Sequence, residues 1–121
     1  MELKKIDFAD SELLNISISY DTATLSIRLD DEKQSDITIS CSGVVGLNNL
    51  IIWDDTNIMS LKIVEADKSS EYLKEVFKAY PHNINYGGRY LSSPIKDLQI
   101  TLSNNTTFHI YCQEAIISNN N

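Results

Sequence analysis

The chain's patterning predicts an α+β domain, a bent antiparallel sheet of five to six strands with one main α-helix packed on one face. Three observations predict it. Five runs alternate apolar and polar residues with the period of a half-buried strand, one stretch at 67–80 carries apolar residues at helical spacing, and turn-forming residues separate the runs.

The first run sets the pattern. Leu14, Ile16, Ile18 and Tyr20 alternate with Asn15, Ser17 and Ser19, and Leu25, Ile27 and Leu29 alternate with Ser26 and Arg28, with a polar turn from Asp21 to Thr24 between them. This reads as a hairpin with one apolar face. Residues 1–12 form an irregular lead-in or short edge strand, in which Asp10 or Ser11 is expected to bond a neighbouring backbone N–H. A polar loop at 30–35 leads to a third strand at 36–42. Gly43 and Gly46 interrupt the alternation, and the conformation of 43–57 is left open between a helical turn and a buried connection. Trp53 precedes a polar stop, Asp54-Asp55, and a fourth strand at 58–66 places Leu61 and Ile63 on one face and Ser60, Lys62 and Val64 on the other.

The helix at 67–80 has Ser69 or Ser70 to cap it, Glu71 to favour its N-terminal dipole, and a stripe of Tyr72, Leu73, Val76, Phe77 and Tyr80 to pack on the sheet. Pro81 stops it. The segment 81–94, with Gly87-Gly88, is the longest without periodicity and is a candidate surface. A second hairpin follows at 95–103 and 106–116, turning at Asn104-Asn105, and the tail 118–121 is expected to fray.

Composition narrows the function. The 121 residues make a single domain, and ten Lys and Arg against seventeen Asp and Glu give a net charge of −7, which repels a phosphate backbone. Direct nucleic-acid binding is disfavoured; the same field would draw in a basic protein partner, while acidity that serves solubility alone is the commoner reading. No apolar run approaches the roughly 20 residues that span a bilayer, so the expected location is cytoplasmic, without a membrane role. Cys41 and Cys112 lie in phase with apolar sets and read as reduced core residues. The outward-facing Ser17, Ser19, Ser26, Arg28, Thr38, Ser40, Gln99, Thr101, His109 and Tyr111 read as a solvated outer sheet face.

No catalytic constellation emerges, so no enzymatic activity, cofactor or metal is expected. His82 and His109 have no partner at metal-binding or base–nucleophile spacing. The pairs Asp30-Asp31 and Asp54-Asp55 are adjacent residues, which seldom converge in acid–base geometry, and Gly43-Val44-Val45-Gly46 lacks the lysine of a phosphate loop.

The opening Asp7-Phe8-Ala9-Asp10-Ser11-Glu12-Leu13, followed by Ile16, Ile18, Tyr20-Asp21, Leu25, Ile27, Leu29, Ile37, Ile39 and Gly43-Val44, resembles small bacterial immunity proteins of polymorphic and contact-dependent growth-inhibition toxin systems. The resemblance implies a cytoplasmic, non-enzymatic inhibitor that binds its own toxin domain, commonly a nuclease, and blocks its active site or substrate groove. It transfers no site residue. Residue chemistry then proposes the surface: Asp30, Asp31, Glu32, Asp54 and Asp55 supply carboxylates against a basic groove, and Trp53, Tyr86, Arg89 and Tyr90 supply large anchors in or beside loops. The alternatives are a small ligand-binding domain using Trp53 and 81–94, or an assembly module using a sheet edge.

Overall fold

Period-two alternation governs nearly every segment that can be described, and the backbone follows it. The computed structural model describes residues 6–30, 35–48, 56–66, 71, 74 and 95–119. They form eight strands: β1 (Ser11–Ser19), β2 (Thr22–Arg28), β3 (Asp36–Ser42), β4 (Gly46–Asn48), β5 (Asn57–Glu65), β6 (Lys96–Leu102), β7 (Thr107–Cys112) and β8 (Glu114–Asn119). Every pairing is antiparallel, in the order β4-β7-β6-β5-β1-β2-β3-β8.

The architecture is therefore all-β, which corrects the expected α+β class. No helical element can be bounded among the described residues, in which Glu71 and Lys74 are the helical positions. The segment 67–80 lies outside them apart from Glu71 and Lys74, two exposed residues joined by a 3.4 Å ion pair. Strand number was underestimated for a physical reason: one expected run bends midway, and a segment left undecided after a glycine proves to be a short strand. The stretch after Gly43 becomes β4, and the run at 106–116 divides at Gln113 into β7 and β8. The tail expected to fray is paired as far as Asn119, opposite Ile37.

The strand order comprises two four-stranded sheets that join where β1 meets β5; among the described residues these strands share the pairs Ser11↔Ile58 and Glu12↔Asn57 and the bond from Leu13 N–H to Thr56 O. At the opposite corner, β3 passes through Gly43 into β4, and β7 passes through Gln113 into β8. The two segments stay partners across the bend, from Ser42↔Glu114 on one side to Gly46↔Tyr111 on the other, with residues 43–45 opposing 112–113. That extra residue is a β-bulge, the usual device by which a strand turns a corner between sheets. Gly43 makes it sterically feasible at φ +63°, and the Gln113 N–H donates to both Ser42 O (3.1 Å) and Gly43 O (3.2 Å). The result is a sheet folded back on itself, its two halves joined at β1–β5 and at this corner.

Its interior is one apolar cluster. Leu25, Ile27, Ile37 and Ile39 from one sheet meet Leu98, Ile100, Leu102 and Ile110 from the other, all at most 1% exposed. Each such burial contributes about 1.5–3 kcal/mol against the entropy of ordering the chain. Cys41 and Cys112 are buried, unbridged members of this cluster. The hydrogen bond that Cys41 shares with Cys112, and then burial, push its thiol above the ordinary range.

Two local expectations change. A bulge between Leu13 and Asn15 shifts the phase of β1, so that Leu13, opposite Ile27, takes the core side before the bulge and Ile16 and Ile18, opposite Leu25 and Ala23, take it after; Leu14, Ile18 and Tyr20 are exposed. The first turn is Tyr20-Asp21 rather than 21–24, since Ser19 already pairs with Thr22, and Tyr20 takes the positive φ (44°) that mirror-image hairpin turns use. In the lead-in, the carboxylate that accepts a backbone N–H is that of Asp7, from Ala9 at 3.0 Å. Ser11 is fully buried, and its Oγ has no hydrogen-bond partner among the described residues. Ser11→Ala should therefore raise stability by about 1 kcal/mol, read as a higher urea midpoint, because an unpaired buried hydroxyl costs desolvation without return. A clear loss of stability would show that the hydroxyl is bonded.

A candidate acidic binding pole

Where β1 meets β5, strand pairing gathers carboxylates that sequence distance keeps apart. Glu12 lies opposite Arg28 on one side and Asn57 on the other, and Arg28 lies opposite Asp36. Neighbouring strands are about 4.8 Å apart, so the backbones at positions 28 and 57 flank Glu12 at a mutual separation of roughly 10 Å. Asp30 follows β2 by two residues, and Asp7 and Asp10 precede β1, so Asp7, Asp10, Glu12, Asp30 and Asp36 all stand at this one end. The cation among them is Arg28, engaged by Asp36 at 3.0 Å and kept charged by that hydrogen bond and by the Asp36 and Glu12 charges.

The local folding explains the placement. Asp10 adopts φ 63°, a left-handed conformation that aspartate tolerates, and donates its N–H to Ile58 O at 2.9 Å. Leu13 donates to Thr56 O at 2.8 Å, which ties the start of β1 to the start of β5. Between them lies an open recess lined by Asp10, Ser11, Glu12, Thr56 and Asn57. Its chemistry is that of an anionic, hydrogen-bond-accepting surface suited to a cationic group on a partner.

Of the residues that the sequence proposes for binding, Asp30 falls on this pole and is exposed. Asp31, Glu32, Trp53, Asp54, Asp55, Tyr86, Arg89 and Tyr90 lie outside the described residues. The chain nevertheless leaves β2 at Asp30 and resumes at Ser35, whose O accepts from Leu29 N–H at 2.8 Å, and it enters β5 from Thr56. The strand ends that carry both acidic segments are thus neighbours. Asp10, Glu12 and Asp36 were missed as contributors because their convergence depends on register, which composition does not encode.

The second polar cluster lies on the outer side of β6 and β7. Asp97 is opposite Tyr111, and Gln99 is opposite His109. The Asp97 carboxylate accepts from Gln99 Nε2 at 2.8 Å and pairs with His109 Nδ1 at 2.8 Å; the His109 ring stacks on Tyr111 with centroids 5.7 Å apart and planes within 4°. Since a carboxylate only accepts, Nδ1 carries a proton, which fixes the orientation of the ring. This face was expected to be wet, yet Asp97 is 6% and Tyr111 4% exposed and Gln99 and His109 are half-buried, so here the solvated reading is corrected to a partly buried polar network. The outer residues of β1 to β3 do face solvent or its margin, with Ser17, Ser19 and Ser40 exposed.

Among the described residues no three His, Cys, Asp or Glu side chains converge as a metal site, and no helix is long and apolar enough to cross a membrane. Comparison of the chain with protein-family models, with curated proteins and with solved structures gives no match.

Proposed function

We propose that the chain is an immunity protein that binds and neutralises a cognate bacterial toxin domain, a nuclease, by covering its active site or substrate groove. The observation that supports this reading is the convergence of Asp10, Glu12 and Asp30 around the β1–β5 seam, at the end from which the segments bearing Asp31, Glu32, Asp54 and Asp55 also depart. A nuclease must hold a polyanion, so its groove is basic, and an acidic pole on a chain of net charge −7 is steered toward it. Trp53, Tyr86, Arg89 and Tyr90 are the proposed anchors of the bound state. In this reading the protein acts in the cytoplasm, where the toxin's nucleic-acid substrate lies, and does no chemistry itself.

The test uses the toxin domain encoded beside this gene. Replacing Asp10, Glu12 and Asp30 together by Asn, Gln and Asn should slow association at least about tenfold at low salt while leaving dissociation nearly unchanged, and the difference should shrink as salt rises. Protection of the nuclease substrate should weaken in parallel. If the triple variant associates like the parent at every salt concentration, the pole is not the recognition face. If the parent neither binds nor inhibits any neighbouring toxin domain, the immunity reading fails.

A further inference from the structure

The chain has two cysteines, and the fold brings them together. Cys41 is the last inward residue of β3 before the bend, opposite Ala115 in the sheet that contains β1, β2, β3 and β8; Cys112 ends β7 in the other sheet, opposite Lys96. Between those positions the Gln113 N–H, bonded to Ser42 O and Gly43 O, clamps the two segments side by side. Side chains on the concave side of such a corner converge, and here both are thiols. Cys41 (2% exposed) and Cys112 (0%) are unbridged, and the Cys41 S–H donates to the Cys112 sulfur. Filling the corner asks only for two small apolar side chains, whereas a facing pair of thiols adds chemistry.

We propose that Cys41 and Cys112 form a site of oxidative modification, closed by a small hydroperoxide into a disulfide that joins the two sheets at their corner. A bridge needs Cβ atoms that point at each other across a short Cα separation, and thiols in mutual hydrogen-bond contact on the inside of a bend approach that arrangement. The oxidant is small because neither sulfur is open to a bulky disulfide. The hydrogen bond from Cys41 holds the Cys112 thiol below its ordinary range against the effect of burial, and Lys96 adds positive charge nearby, so Cys112 is the nucleophile. Its thiolate sulfur attacks one peroxide oxygen, the O–O bond breaks, and the departing hydroxide takes up a proton as water, leaving a sulfenic acid on Cys112. The Cys41 sulfur then attacks that sulfur, the S–O bond breaks, and the hydroxide leaves with the Cys41 proton as a second water. Two thiols and one peroxide thus give one disulfide and two waters. The corner lies at the end of β3 remote from Asp36, so the cross-link leaves the acidic pole in place.

The test treats the reduced, folded full chain with excess hydrogen peroxide, removes the oxidant, alkylates remaining thiols in denaturant and maps the peptides without reductant. The peptides bearing Cys41 and Cys112 should appear joined within one chain, short of two hydrogens relative to the separate thiol peptides, and dithiothreitol should free both. Reading at these peptides keeps oxygen uptake by the exposed Met59 out of the result. The bridged chain should keep its circular dichroism spectrum and raise its urea midpoint by at least about 1 M, since the bridge closes a long loop in the unfolded chain. Thiols that remain free, oxygen added to Cys112 without a bridge, bridging between chains, bridging only once urea has unfolded the chain, or a bridged chain with a lower midpoint would each overturn the proposal.

Discussion

Asp97→Ala should lower the free energy of unfolding by about 2–4 kcal/mol, because it strips two partners at once from a site that water scarcely reaches. Gln99 Nε2 and His109 Nδ1 both direct donors at this one carboxylate at 2.8 Å, and Asp97 is only 6% exposed. Each donor left unpaired costs about 1–3 kcal/mol when it cannot be rehydrated. Asp97→Asn keeps one acceptor oxygen but turns an NH2 toward a donor, so its loss should be intermediate. Urea denaturation of the three proteins orders them. Equal stability of all three would mean that the His109 and Gln99 donors are satisfied without Asp97.

The corner at Gly43 should be nearly as sensitive. A left-handed φ of +63° costs a side-chain-bearing residue about 1–2 kcal/mol by itself. A Cβ added there would also lie 2.9 Å from both Cβ and Cγ of Gln113, and Cβ cannot swing away as a side-chain terminus can. Gly43→Ala is therefore expected to cost about 2–4 kcal/mol. Because Gln113 N–H bonds to Ser42 O and Gly43 O at that point, the damage should fall on the bend that carries both chain segments from one sheet to the other. Hydrogen exchange at Gln113 and Val45 should accelerate more than at Leu25 or Ile100. Unchanged stability would show that the bend relaxes freely.

These two sites mark the boundary of what the sequence discloses. Alternation identified the strands and the inward phase of Ile37, Ile39, Cys41, Leu98, Ile100, Phe108 and Ile110, since burial of one face imposes period two directly. It could not locate single-residue insertions, and those decide the rest. The bulge after Leu13 sets Ile16 opposite buried Leu25 and Ile18 opposite buried Ala23, so both keep the core side although Leu13 takes it first, with Leu14 left exposed at the bulge. Likewise, Asn104-Asn105 marks the second hairpin, but the loop has three residues, with Leu102 N–H donating to Thr106 O and Asn105 in the left-handed position of a bulged turn. That extra residue sets Asp97 opposite Tyr111 and Gln99 opposite His109, so the outward histidine and tyrosine were legible while their carboxylate partner was not. Strand count failed for the same cause at Gly43 and Gln113.

The acidic pole was legible in composition alone. Asp30, Asp31, Glu32, Asp54 and Asp55 stand out as residue types, but the roles of Asp10, Glu12 and Asp36 arise from the pairing of Glu12 with both Arg28 and Asn57. The expected helix and the candidate surface at 81–94 lie outside the described residues, so the aromatic anchors rest on residue type.

The measurement that bears most directly on the proposed recognition face is hydrogen–deuterium exchange of this chain with and without the cognate toxin domain that the proposal requires. Binding through the pole should protect the amides of 7–13, 28–30, 35–37 and 56–58, with protection that weakens when Asp10, Glu12 and Asp30 are neutralised. Protection confined to the outer side of β6 and β7, around Gln99 and His109, with 7–13 and 56–58 exchanging as in the free chain, would contradict it.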